Sequence, residues 1–482
     1  MRIVRLRRVA QRVGAVVTGW SPEERDAILY AASGLFAIVT MQFSGIALYR
    51  QWGRIAVGPY LLAAAASAWL ARSARRRAAG TGDGAGRLRP VAASDHAAHP
   101  GHLPWRRPDW HWTAPRMSIF MLVLVGATLL PLSLEVAWRS TSNSTSHVQP
   151  EVLVVEHSAH RLYDGKDPYQ MINPKKPPPV PAGQPAYDAF DPYLPLMSVL
   201  GLARSTNAPP RLTDARVIFS IVTIAVVAVA LALTRGPTGP RVLTLQAMTV
   251  LPTAGLPLAT GGDDLPVVAI MLLGLVLVQR RRPLLAGLTM GVVASMKFTA
   301  WPLAVLALLV VQDATGQRSR RSRLSYLGGL VAVMVPAVLP SVLANVPAFV
   351  ENVVRFPLGL AGVRSPAATP LLGHLVVAAF PGLHELFTVS LVVAGSVVLG
   401  WVLVRRTPRD PATLVRVLGW AVLAAILLAP TTRVGYLLYP IDFFVWAWLM
   451  AGEQQATAAA AGEEPPGPGE QPLVRGPQRL AS

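Results

Sequence analysis

The chain has no cysteine, which excludes disulfides, zinc–thiolate sites, iron–sulfur clusters and thiol nucleophiles. Charge is scarce as well. Only 14% of residues are Asp, Glu, Lys or Arg, against roughly 25% in a soluble globular protein. Acidic residues are the scarcer half, 25 against 44 Lys and Arg. Soluble-enzyme signatures are missing too: there is no P-loop, no Gly-x-Ser-x-Gly and no His-Glu-x-x-His. What is abundant is apolar. Hydrophobic residues make up 52% of the chain, mean hydropathy is +0.43, and the Leu, Ala and Val come in blocks of the length a bilayer span needs. Backbone inside a bilayer finds no water to bond, so spans are helices or closed barrels. These blocks are continuous rather than alternating, which selects helices.

The formal net charge is +19. In a soluble chain that would point to nucleic acid. Here the basic residues flank apolar blocks, so they read as topology determinants, and no nucleic-acid partner is expected. Arg2, Arg5, Arg7 and Arg8 precede an apolar run that starts only near Ala27, and no small-residue cleavage site follows it. A retained first helix is expected rather than a signal peptide. Ser21-Pro22-Glu23-Glu24 reads as its capping box.

Four regions follow from the pattern. Residues 1–77 form an N-terminal two-helix membrane extension, with Arg72, Arg75, Arg76 and Arg77 marking a cytoplasmic end. Residues 78–116 form a disordered cytoplasmic loop carrying His96, His99, His102 and His111. No acidic or cysteine partner joins those histidines, so no metal is expected there. Residues 117–451 form the main membrane domain, and 452–482 a disordered Pro/Gly/Glu-rich cytoplasmic tail. Arginine clusters at 280–282, 318–323 and 405–409 place further ends in the cytoplasm. About 11–13 spans result. The arginine clusters leave one apolar block too many, and the short one at 192–203 is expected to be re-entrant or a half-span.

Chemistry is expected on the opposite side. The polar stretch 139–190 is a large external loop, with a short helix from Pro150 to Asp164 and an extended Pro174–Pro179 linker. The Val152–Val155 run suggests that this helix lies on or dips into the membrane interface. Ionisable residues at or within the membrane are costly, which makes them candidates for function. On the loop helix these are Glu151, Glu156, His157, His160 and Arg161. Glu156 and His160 share a face at i, i+4, as do His157 and Arg161. A carboxylate oriented by histidine fits a general base, and a wet amphipathic face fits the pattern equally. Asp263 and Asp264 follow two glycines just before a span. They read as a helix N-cap or as a pair for sugar hydroxyls or a cation. Lys297 sits between two apolar blocks too close for a real loop, where it fits a lipid phosphate or a snorkelling side chain. Arg433, with Tyr436, is an arginine on the outer side, against the inside bias; an interface anchor fits it as well.

In this order the pieces resemble glycosyltransferase family 87, polyprenyl-phosphate-sugar-dependent, mannosyltransferase-like membrane proteins with the GT-C fold. The resembling pieces are Glu151; Ala159 to Asp164; Gly165-Lys166-Asp167-Pro168-Tyr169; Tyr193-Leu194-Pro195-Leu196; Gly261-Gly262-Asp263-Asp264; Ala286-Gly287-Leu288, Gly291 and Lys297; and Pro430, Arg433, Gly435 and Tyr436. They cover about 120–450. Three positions depart from the family pattern: the loop acid is glutamate, Leu194 replaces a proline, and the glutamine of the Gly-Gln motif is absent. The resemblance implies an all-α polytopic membrane protein with a GT-C-like bundle, working in the plasma membrane with its site outside the cytoplasm. It implies a polyprenyl-phosphate sugar donor, a lipid or glycan acceptor, membrane lipids as surroundings, and neither metal nor other cofactor. Glu151 would be the base, with Glu156 second. His157, His160, Arg161, Tyr169, Tyr193, Asp263, Asp264, Lys297, Arg433 and Tyr436 would bind substrate. The alternative is a transporter or flippase of lipid-linked saccharide, or a non-catalytic protein derived from this fold.

Overall fold

The computed structural model describes residues 20–80, 113–142, 146–170, 186–361, 363 and 367–460. The N-terminal arginines, the four histidines at 96–111, the Pro174–Pro179 linker and the tail beyond Ala460 lie outside the described residues. Among the described residues the chain is helical, and the only β-bridge is isolated, Ala368 to Thr432. Nine helices among the described residues are long and apolar enough to cross a membrane, and three shorter apolar ones bring the count there to twelve. The chain is an all-α polytopic membrane protein.

In chain order the helices are α1 (Pro22–Phe43), α2 (Ala47–Gly80) and α3 (Ala114–Thr141), then the short α4 (Pro150–Tyr163). After them come α5 (Ala215–Ala232), α6 (Thr238–Thr260), α7 (Asp264–Gln279), α8 (Pro283–Ala294) and α9 (Phe298–Leu309). The last four are α10 (Arg320–Ala344), α11 (Pro381–Arg405), α12 (Pro411–Leu428) and α13 (Val434–Ala458), with the last helix continuing to Ala460. Helix thus enters both stretches expected to be disordered, at 78–80, 114–116 and 452–460. Their alanines favour it.

Contacts sort the helix ends into two sets. At one end Arg75 pairs with Glu24, Arg280 bonds the Leu233 carbonyl, and Gly236 meets Glu453. At the other end Gln149 bonds Tyr49 and Thr260, and Lys297 meets Asp263 and Asp264. The twelve apolar helices alternate between these ends. The block 192–203 is no span: Pro195–Ser205 is a 3₁₀ helix packed on α4. A side chain at Gly201 would come within 2.6 Å of the Val155 carbonyl oxygen.

Local signals explain the elements. Ser21 accepts from the Glu24 backbone at 3.3 Å, while the Glu24 carboxylate accepts from the Ser21 N–H at 2.8 Å. Helix α4 starts at Pro150 and exits through Gly165 at φ 71°, a left-handed turn suited to glycine. Val152 and Val155 are fully buried, so protein covers the run expected to meet lipid. Within α3 a π-helical turn over Leu124–Leu129 loosens the backbone ladder. Trp52 of α2 donates to the Ala127 carbonyl there at 2.9 Å, and Thr128 reaches the Thr249 carbonyl at 2.9 Å. Asp26 of α1 pairs with Arg116 at 2.8 Å and accepts from Gln246 of α6 at 3.1 Å. Buried polar bonds thus tie the first two helices to the bundle.

Helices α8 and α10 touch backbone to backbone. A side chain at Gly287 would overlap the Tyr326 carbonyl, and one at Gly291 would lie 2.6 Å from the Leu330 oxygen. This is the small-xxx-small contact of membrane helices. Only 6% of the α10 span is buried, so few other contacts hold it. Gly287→Val is therefore expected to destabilise the protein by about 1–3 kcal/mol, the usual overpacking cost. Gly328→Val, with nothing within 4 Å of its added carbon, is the control. Thermal unfolding in detergent should show a lower midpoint for the first variant alone; equal midpoints would contradict the contact.

Candidate active site

The site begins where short helices meet. Helices α7, α8 and α9 have 16, 12 and about 12 residues. At about 1.5 Å per residue they fall short of a hydrocarbon layer of about 30 Å. Residues at their ends are held inside the bundle rather than at its rim. Gly261, at φ 122°, turns the chain from α6 towards α7, and any side chain there would overlap Val152 of α4. Asp263 and Asp264 follow. Asp263 occupies the N-cap position but makes no capping bond. It turns instead to Lys297, at 3.0 Å, and Asp264 takes the same ammonium at 2.6 Å. Tyr439 donates to Asp264 at 2.5 Å and lies 2.7 Å from the Thr299 hydroxyl.

Lys297 is extended between α8 and α9, and its side chain is only 12% exposed. Burial works against its charge, but Asp263 and Asp264 outweigh burial and raise its pKa above the ordinary lysine value. The Tyr193 ring lies 5.1 Å from the ammonium. The backbone fixes that ring: Leu194 N–H donates to the Met296 carbonyl at 2.9 Å and Leu196 N–H to Ser295 at 3.0 Å. Two stretches distant in sequence are thereby paired beside Lys297.

Glu151 and Arg433 form a second ion pair, between the first turn of α4 and the residue before α13. Arg433 keeps 35% of its side chain exposed. Burial would lower its pKa; Glu151 more than reverses this and raises it. Tyr49, Tyr187 and Asp188 interact electrostatically with Glu151, and the two tyrosines also with Arg433. Tyr193 feels the charges of Glu151, Asp263 and Asp264, and Tyr436 those of Lys297 and Arg433. The two tyrosines therefore join the ion pairs into one cluster. Of the residues singled out in the sequence, Glu151, Tyr193, Asp263, Asp264, Lys297, Arg433 and Tyr436 come together.

The others do not. Glu156 is gripped by Arg139 through two bonds, 2.9 and 2.6 Å, and accepts from the Ala215 N–H at 3.2 Å. Arg139 also meets Asp214 at 2.8 Å, which in turn holds Arg216. A carboxylate so occupied braces α3, α4 and α5, apart from the Glu151 cluster. The expected Glu156–His160 bond is not formed among the described residues, and His157 and His160 are exposed. Arg161 donates to the carbonyls of Asp167 and Tyr169 at 2.9 and 3.2 Å, holding the loop after α4. Tyr169 supports the site from beneath: its hydroxyl donates to the Tyr193 carbonyl at 2.7 Å.

Sequence reasoning passed over Tyr49, Gln149, Asp188 and Asp191. Asp191 is buried and accepts from the Tyr193 N–H at 3.1 Å, while its own N–H donates to Asn352 at 2.8 Å. Burial pushes its pKa up to about 7. The signal for both aspartates was present: Tyr187-Asp188-Ala189-Phe190-Asp191 is acidic and aromatic in a chain poor in acids. Among the described residues no group of three or more His, Asp or Glu is arranged to hold a metal ion.

Comparison with known proteins adds one finding. The family model of glycosyltransferase family 87 matches residues 193–430, which include Tyr193, Asp263, Asp264 and Lys297, while Glu151 and Arg433 lie outside. No curated protein and no solved structure matches the chain. Residues 193–430 are thus similar to glycosyltransferase family 87, within a chain that is a multi-pass membrane protein.

Proposed function

We propose that the protein moves a sugar from a polyprenyl-phosphate donor to a lipid or glycan acceptor at the outer face of the plasma membrane. The observation carrying this reading is the pair of partly buried cations, Lys297 and Arg433, joined by Tyr193 and Tyr436 at one end of the bundle. A lipid-linked phosphate meets a membrane protein at such a depth. The outward orientation rests on the arginines that crowd the opposite end, since basic residues favour the cytoplasm. Mannose is favoured as the sugar by family analogy alone.

The two cations have different work. The charge on Lys297 is already met by two carboxylates. Arg433 has one partner and more exposure, and its planar fork suits a phosphate. We assign it the main contact to the leaving group. Lys297 adds charge at longer range and holds Asp263 and Asp264 in place for sugar hydroxyls. Fixed charges of this kind stabilise a developing anion strongly where water is excluded. The acceptor oxygen bonds to the anomeric carbon as the bond from that carbon to the phosphate oxygen breaks. The electron pair leaves on the lipid phosphate. The acceptor's proton goes to Glu151, which is freed as phosphate takes Arg433.

The direct test offers purified protein radiolabelled polyprenyl-phosphate mannose, arabinose and glucose with a lipid and glycan extract. Wild type should transfer one of them. Glu151→Gln should lose roughly 10²–10⁴ in turnover, the usual contribution of a general base, while remaining folded. Near-normal transfer by that variant would remove Glu151 from the role. A chelator should leave the rate unchanged, because Lys297 already occupies Asp263 and Asp264. Loss in chelator that magnesium restores would assign those carboxylates to a metal instead.

A further inference from the structure

Glu151 is held by Arg433 in the empty site. The turn Ala186–Ala189 packs on α4, the helix that carries Glu151. That turn is fixed from behind: Phe190 stacks on Phe356 at 4.6 Å with planes 10° apart, and the Asp191 N–H is bound to Asn352 at 2.8 Å. Asp188 on this turn has a buried Oδ1 with no hydrogen-bond partner among the described residues. A buried carboxylate oxygen without a partner is costly and calls for an explanation. The charged and titratable groups that act on it are Glu151 on α4 and its neighbour Tyr187, while Arg433 before α13 and Tyr49 on α2 face Glu151. No cation is bound to Asp188 among the described residues.

We propose that Asp188 is a second carboxylate of the reaction centre, a positioning residue whose negative charge makes Glu151 an effective base once the donor phosphate has taken Arg433. This rests on the glycosyl-transfer reading above. In the empty site Arg433 neutralises Glu151. With phosphate on Arg433, Glu151 faces Asp188 without that compensation, and like charges favour uptake of a proton. The acceptor's hydroxyl supplies it: the O–H bond breaks, the proton passes to Glu151, and the oxygen's pair forms the new glycosidic bond. The sugar–phosphate bond breaks with its pair going to phosphate, so no further reactant is needed. Burial first, and then Glu151, push the Asp188 pKa up to about 6. The pair's charge is therefore present above that pH and lost below it, so transfer should rise with pH through this range.

The test is kcat against pH with both substrates saturating, for wild type, Asp188→Asn and Asp188→Glu, with Asp188→Ser as a second neutral variant. Removing the charge should move the acid limb down by roughly one pH unit. It should cut the plateau rate roughly tenfold through the weaker base, with the donor KM little changed. Asp188→Glu should restore the limb. A merely structural role would lower the rate or the melting temperature without moving the limb. An unmoved limb in the neutral variants overturns the proposal and leaves glycosyl transfer standing. Total loss of turnover in a folded variant that still binds donor would make Asp188 itself the proton acceptor, which also overturns it. Absence of transfer by wild type from any donor would instead refute the glycosyl-transfer reading.

Discussion

Lys297 carries a charge into an apolar bundle, and an unpaired ammonium there would be very costly. Two carboxylates on one corner meet it. That requirement brings the α6–α7 corner against the α8–α9 corner. It also explains why Asp263 leaves its capping position unused. The neighbouring contacts depend on the same junction. Tyr193 lies against the ammonium because its strand-like segment pairs with Ser295 and Met296. Tyr169 holds Tyr193 from below, and Tyr439 completes the shell of Asp264. Breaking a buried pair by removing one partner costs about 3–5 kcal/mol. The charges of the site are therefore also part of what holds its walls together.

Helix α4 divides its two glutamates between structure and chemistry. Residues five apart on an α-helix point about 140° from one another. Glu156 faces inward to Arg139, in a network with Asp214 and Arg216 that locks α3, α4 and α5. Glu151 faces Arg433 instead. The first glutamate fixes the helix so that the second is presented. The first two helices also reach the site, since Gln149, just before α4, bonds both Tyr49 of α2 and Thr260 of α6. An extension outside the family match thus supplies part of the wall around the proposed base.

The sequence revealed the spans, the extra block at 192–203 and the boundaries of α4, because hydropathy, Pro150 and Gly165 are local signals. It also singled out Lys297, Arg433, Asp263 and Asp264, because charge at membrane depth is rare. It did not separate Glu151 from Glu156, since spacing along one helix does not say which face a distant arginine will meet. Nor did it say whether Asp263 caps a helix or binds a cation, a choice decided by Lys297 from 34 residues away. Tyr49 and Asp188 were missed for the same reason: their positions come from contacts made across the bundle. The helical extensions at 78–80 and 452–460 were missed because low hydropathy ends a membrane span without ending a helix.

The central claim is that the Arg433 end of the cluster recognises a lipid-linked phosphate. Equilibrium binding of sugar-free polyprenyl phosphate to the protein in nanodiscs tests it without depending on the sugar or the acceptor. The account predicts saturable binding by wild type, weakened at least roughly tenfold in Arg433→Ala, the order expected for losing a charge-assisted fork to phosphate. Equal binding by the two proteins would contradict it and place the phosphate elsewhere.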